Sequence, residues 1–142
     1  MNRDTPTTYG MHLTLRLSEV SRKEALDGPA IGDLLVTLVQ RIGMRILAGP
    51  LTAEESGTPE KRGWSSLVLL YESHAAIHTY PELGQAFVDV FSCKDFNQEQ
   101  VTEVLLEYLG DFRIVEKHTL DRGIHWSEGI DREMKTWVAS RS

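Results

Sequence analysis

Three short apolar runs follow one another between residues 64 and 93 with only turn residues between them, and that succession leaves the chain few folds. Residues 64–71 are apolar on both parities, Leu67, Leu69 and Tyr71 on one and Val68 and Leu70 on the other. Such a run suits a central strand covered on both faces or packed at an interface. Residues 75–80 read as a second strand stopped by Pro81, and residues 85–93 as a third after the turn Glu82-Leu83-Gly84. Consecutive strands this close in sequence pair antiparallel.

The flanks add two helices and the remaining strands. Met11, Leu13, Leu15 and Leu17 alternate with His12, Thr14, Arg16 and Ser18, the period-2 pattern of a half-buried strand. Ile31, Leu34, Leu35, Leu38, Val39 and Ile42 form a helical stripe, with Gly43 placed to end it. Residues 44–47 read as a short strand and residues 48–63, rich in Gly, Pro, Thr, Glu and Lys, as an exposed loop. Asn97 can cap a second helix, with Gln100 at the capping-box position and Val101, Val104, Leu105, Tyr108 and Leu109 on its apolar face. Gly110 closes it, residues 112–119 make a last strand, and the polar tail holding Trp126 and Trp137 receives no assignment. The order β-α-β-β-β-β-α-β predicts an α+β fold, a two-layer α/β sandwich with a mainly antiparallel sheet and both helices on one face. A chain of 142 residues is expected to form it as a single domain.

Composition removes several functional classes. Hydrophobic residues make up 41% and charged ones 25%, and no stretch approaches the ~18 consecutive apolar residues of a membrane span, so a soluble protein is expected. Residues 1–6 carry no apolar segment behind Arg3, which makes the cytoplasm the expected compartment. Fifteen Lys and Arg against 21 Asp and Glu leave a net charge of −6 with no long basic cluster, which disfavours nucleic acid. A single cysteine, Cys93, excludes an internal disulfide and a multi-cysteine zinc site. Neither Gly-rich phosphate-cradling motif is present.

Reactive residue types concentrate between residues 72 and 93. Ser73, His74, His78 and Cys93 lie within 21 residues, on strands that would fold against one another. His74 and His78 share one face of a regular strand, yet two histidines without a third placed ligand do not make a metal site, and none is expected. A lone cysteine ending an apolar strand is by residue statistics more often core than nucleophile. Ser73 needs a base within hydrogen-bond reach, and His78, five residues on, would sit on the opposite face. Contact between them requires a bend near Ser73.

The run Glu72-Ser73-His74-Ala75-Ala76-Ile77-His78-Thr79-Tyr80-Pro81-Glu82, followed by Val88-Asp89-Val90-Phe91-Ser92-Cys93, resembles the signature of the prokaryotic S-adenosylmethionine decarboxylases. Weaker similarity extends from Gly10 to Gly123. These are pyruvoyl-dependent enzymes of spermidine synthesis, made as proenzymes that cut themselves and assemble into dimers. The resemblance implies a cut between Glu72 and Ser73, giving chains of 72 and 70 residues. By it, Ser73 is the precursor of the covalent pyruvoyl group that forms a Schiff base with the substrate amine. His78 is the processing base, Ser65 assists processing, and Cys93 protonates the decarboxylated substrate. Thiols ordinarily titrate near ~8.5, so one can donate at neutral pH.

The chain also departs from that family. Where members have Tyr-Gly-Cys after the first strand, Leu17-Ser18-Glu19-Val20 stands here, and Lys94 replaces a glycine after the cysteine. The loop over residues 53–62 lacks the aromatic residue that stacks on adenine, which leaves Glu72 with Tyr80, or Trp64, as the expected substrate contacts. Two alternatives therefore stand beside S-adenosylmethionine as substrate: arginine or ornithine decarboxylation by the same chemistry, and a non-catalytic regulatory subunit.

Overall fold

In a computed structural model that describes residues 8–123 together with Thr136 and Ala139, the chain forms one six-stranded sheet with two helices across it. The strands are β1 (Gly10–Ser18), β2 (Ile46–Glu55), β3 (Gly63–Leu70), β4 (Ser73–Tyr80), β5 (Gln85–Ser92) and β6 (Arg113–Arg122). Helix α1 (Ala30–Arg41) joins β1 to β2, and α2 (Gln98–Leu109) joins β5 to β6. The spatial order is β2-β3-β4-β5-β1-β6, and every neighbouring pair is antiparallel. The expected α+β sandwich and its element order are thus present. The Trp126 and Trp137 tail lies outside the described residues.

One face of the sheet is buried because the strands alternate. Leu13, Leu15 and Leu17 of β1, Val68 and Leu70 of β3, Ala75 and Ile77 of β4, and Ala86, Val88 and Val90 of β5 meet the helical stripes. Ile31, Leu34, Leu35, Leu38 and Val39 of α1 and Val101, Val104, Leu105 and Leu109 of α2 complete that core. Removing one such leucine to alanine costs about 2–5 kcal/mol. Asn97 Oδ1 accepts from the amides of Glu99 and Gln100 at 2.8 and 3.4 Å, the cap that its position predicted.

Two expectations change. The stretch read as loop carries a strand, since β2 continues to Glu55. As an edge strand paired to β3 alone, with register shifts around Ala48 and with Pro50 inside it, β2 leaves most of its side chains exposed. It therefore lacks the apolar alternation that reveals a buried strand. Strand β3, apolar on both parities, is covered on one face only by the described residues, which leaves the interface of the two readings. Val68 and Leu70 are buried, whereas Leu67, Leu69 and the following Tyr71 stand open on the face away from the helices.

Candidate active site

The β3–β4 hairpin places the central bond. Leu70 pairs with Ser73, which leaves Tyr71 and Glu72 as a two-residue turn. Turns of that length favour positive φ at their central residues, because that twist matches the strands. Neither Tyr71 nor Glu72 has it; the excursion falls one residue later, where Ser73 takes φ 152°. A side chain held there costs on the order of 1–3 kcal/mol, and the strain sits on the Glu72–Ser73 peptide. This local distortion does not bring Ser73 to His78, the contact for which the sequence required a bend.

Glu72 is held at both ends. Its backbone carbonyl accepts the Cys93 N–H at 2.9 Å, a contact across the β4–β5 pair just beyond Ser73 and Ser92. Its carboxylate, nearly buried, accepts the Arg45 N–H at 2.9 Å and the Arg45 Nε–H at 3.3 Å. The Arg45 amide, aided by the guanidinium and opposed by burial, holds the Glu72 carboxyl below its ordinary pKa. Tyr71 N–H returns to the Arg45 carbonyl at 3.0 Å, and the guanidinium lies 4.9 Å above the Tyr71 ring. On the other side of the bond, fully buried Ser92 donates to Met44 Sδ at 3.3 Å and accepts the Lys94 N–H at 2.9 Å. That turn fixes the end of β5 and leaves the Cys93 thiol exposed and free.

The other expected residues lie on the open face. Ser65 and His78 are direct partners in the β3–β4 register, and Ser65 Oγ meets His78 Nδ1 at 2.8 Å. The hydroxyl of Ser73 pairs not with His78 but with Tyr9 Oη, at 3.1 Å. Tyr80 is half-buried on this face, edge-on to Phe87 at 6.3 Å, and is available to a ligand. Trp64 packs against the core and donates to Asp27 at 3.1 Å, so it is committed to structure. His74 faces His12 and Phe91, and no group of three or more His, Cys, Asp or Glu is placed to hold a metal among the described residues.

Arg45 and Tyr9 were not singled out from the sequence. They lie 27 and 64 residues from their partners, and only the strand register brings them together.

Residues 11–123 match the family model described as S-adenosylmethionine decarboxylase. An S-adenosylmethionine decarboxylase proenzyme of Prochlorococcus marinus (strain MIT 9313) is 36% identical over 102 residues, 71% of this chain and 78% of that protein. One from Bacillus cytotoxicus (strain DSM 22905 / CIP 110041 / 391-98 / NVH 391-98) is 32% identical over 133 residues, 93% of this chain and 98% of its own. The crystal structure of the adenosylmethionine decarboxylase from Aquifex aeolicus VF5 superposes with a TM-score of 0.67 at 29% identity, covering 83% of this chain and 93% of that one. A match of this extent, across the strands that carry Ser73, His78 and Cys93, establishes that the chain belongs to the S-adenosylmethionine decarboxylase family.

Proposed function

We propose that this chain is a pyruvoyl-dependent S-adenosylmethionine decarboxylase, made as a proenzyme that cuts itself between Glu72 and Ser73 and works as a dimer of cleaved protomers. The reading rests most on one observation. The Glu72 carbonyl already accepts the Cys93 amide at 2.9 Å, beside a serine held out of regular strand geometry.

Attack by Ser73 Oγ on the Glu72 carbonyl carbon puts negative charge on the carbonyl oxygen, where the Cys93 N–H points. A fixed amide donor at such an oxygen accelerates acyl transfer by about 10²–10³. His78 lies five residues along β4 from the Ser73 of its own chain, about 16 Å away, so within the proposed dimer it is the partner's His78 that takes the Ser73 proton. For its Nε2 to accept, Nδ1 must carry a hydrogen and donate it to Ser65 Oγ, which gives Ser65 a tautomer-setting role. The amide is replaced by an ester, and loss of the Ser73 α-proton then expels the new main-chain carboxylate at the C-terminus of Glu72, distinct from the side-chain carboxylate that Arg45 holds. Hydrolysis of the resulting dehydroalanine releases ammonia.

Ser73 fits the precursor of a pyruvoyl group, which would serve as electron sink when the substrate loses its carboxylate. Cys93 Sγ, exposed beside it, supplies the proton that replaces that carboxylate. Tyr80 offers a ring for the adenine, and the Glu72 carboxylate stays charged next to a cationic substrate. The missing loop aromatic is what favours a basic amino acid instead, and a panel of decarboxylation assays with S-adenosylmethionine, arginine and ornithine separates the two.

Intact-mass measurement of the purified wild-type chain tests the cut. Two fragments are expected, of 72 and 70 residues, the second blocked at its amino terminus and lighter by one ammonia than its serine-started form. Ser73→Ala should remain one piece. Wild-type protein that stays uncut under all conditions overturns the proposal.

A further inference from the structure

We propose that Tyr9 is a further catalytic residue of this self-cleavage, its hydroxyl donating a hydrogen bond to Ser73 Oγ as that oxygen departs on the Glu72 carboxylate. The inference rests on the cut at Glu72–Ser73 proposed above.

The geometry is direct, with Tyr9 Oη 3.1 Å from Ser73 Oγ. The ring is held in place from several sides. Tyr9 N–H donates to the carbonyls of Arg122 and Gly123 at 2.9 and 3.1 Å, which ties the residue ahead of β1 to the end of β6. Gly123 takes φ 71°, and a Cβ there would stand 2.7 Å from Tyr9 Cβ, so the approach needs a glycine. The Tyr9 ring leans on Phe91 at 5.5 Å, and Arg122 covers Phe91 at 4.0 Å. A phenol is a stronger acid than an alkanol, so of the two hydroxyls Tyr9 is the better donor.

The bonds that form and break decide which step it serves. In the first step the Oγ–C bond forms, the C–N bond breaks and the Ser73 nitrogen gains a proton, leaving Oγ as an ester oxygen. In the second, a base takes the Ser73 Cα proton and those electrons become the Cα=Cβ bond. The Cβ–Oγ bond breaks and its electron pair leaves on Oγ, now one oxygen of the Glu72 carboxylate. Water then converts the dehydroalanine nitrogen to ammonia. An ester oxygen is a weak acceptor and a carboxylate oxygen a strong one, so the Tyr9 hydrogen bond strengthens as the second step proceeds. Tyr9 keeps its proton throughout.

Tyr9→Phe retains the ring and its packing while removing the donor. Relative to wild type, its maturation should slow about ten- to a hundredfold, the loss of one hydrogen bond to a charged group. The protein of full-length mass should contain ester that hydroxylamine cleaves between residues 72 and 73, releasing a fragment with a free amino-terminal serine. Maturation at the wild-type rate overturns the proposal. So does slow maturation with uncut protein that resists hydroxylamine, because the hydroxyl would then act before the ester forms. A second form carrying 3-fluorotyrosine at position 9, a stronger donor of nearly the same shape, should lose its ester faster than wild type; an unchanged rate again overturns the proposal, even where Tyr9→Phe fails to fold. Wild-type protein that is never cut brings down the underlying reading, whereas a normal Tyr9→Phe beside a cut wild type brings down only the role of Tyr9.

Discussion

Cys93 carries two groups with separable duties. Its amide faces the Glu72 carbonyl and belongs to the proposed cut, while its thiol is exposed and belongs to the proposed proton delivery. Replacing Cys93 by alanine leaves the amide in place, because backbone donors survive side-chain truncation. Cys93→Ala is therefore expected to mature within a few-fold of wild type and to lose decarboxylation by about 10²–10⁴, the usual worth of a positioned proton donor. Intact mass reads the first quantity and carbon dioxide release the second. A variant that stays uncut would show that the thiol, and not the amide alone, takes part in processing. The same division explains why the departure at Lys94 is tolerated: its amide anchors on Ser92 Oγ and its Nζ on the Gly43 carbonyl at 3.0 Å, so the turn after Cys93 is held without a glycine.

Across the strands, the open face brings together charges that no single element reveals. His12 of β1 has Asp89 of β5 at 3.9 Å, His74 of β4 in edge contact at 6.3 Å between ring centroids, and Arg122 of β6 nearby. Burial lowers the His12 pKa most; Asp89 opposes it, and Arg122 and His74 reinforce it. A histidine whose folded pKa lies below its unfolded one binds fewer protons when folded. Its contribution is thus present above pH 6.5, the ordinary pKa of a histidine, and is lost as pH falls below that. Thermal unfolding between pH 7.5 and 5 should show a falling Tm that His12→Gln flattens, and an equal slope in both proteins would contradict this. Glu72 acts in a lower window, losing its contribution only as pH drops through the carboxylate range. The elements that bury a face were legible from the sequence for the same reason that these charges were not. The alternation of β1 and the stripes of α1 and α2 are local patterns, whereas β2, paired on one edge and exposed, leaves no period to read. The site divides likewise. Ser73, His78 and Cys93 belong to one continuous motif, but Tyr9 and Arg45 reach it only through register.

At the scale of the fold, the open sheet face carries no covering layer among the described residues. Leu67, Leu69 and Phe87 are 40, 45 and 40% exposed on it, with Tyr71 at 60% beside them, and they adjoin the proposed catalytic groups. A contiguous apolar patch of this kind marks an interaction surface. The second copy that the proposed function calls for is its natural occupant, in a two-fold pairing where each face meets its own image. Leu69→Asp would set like charges against each other close to such an axis, while its outward position spares the core. Sedimentation over a range of concentrations should find wild type as a dimer and Leu69→Asp as a monomer of unchanged circular dichroism. Processing should slow sharply in that monomer, because Tyr9, Ser73 and the Cys93 amide come from one chain whereas the Ser65–His78 pair stands about 16 Å along β4 and can reach only the Ser73 of a second copy. Decarboxylation should fall, since the face that Tyr80 offers to substrate would then be open to water. A Leu69→Asp dimer would place the subunit contact elsewhere, and a monomer that cuts at the wild-type rate would mean that the partner supplies no part of the processing site.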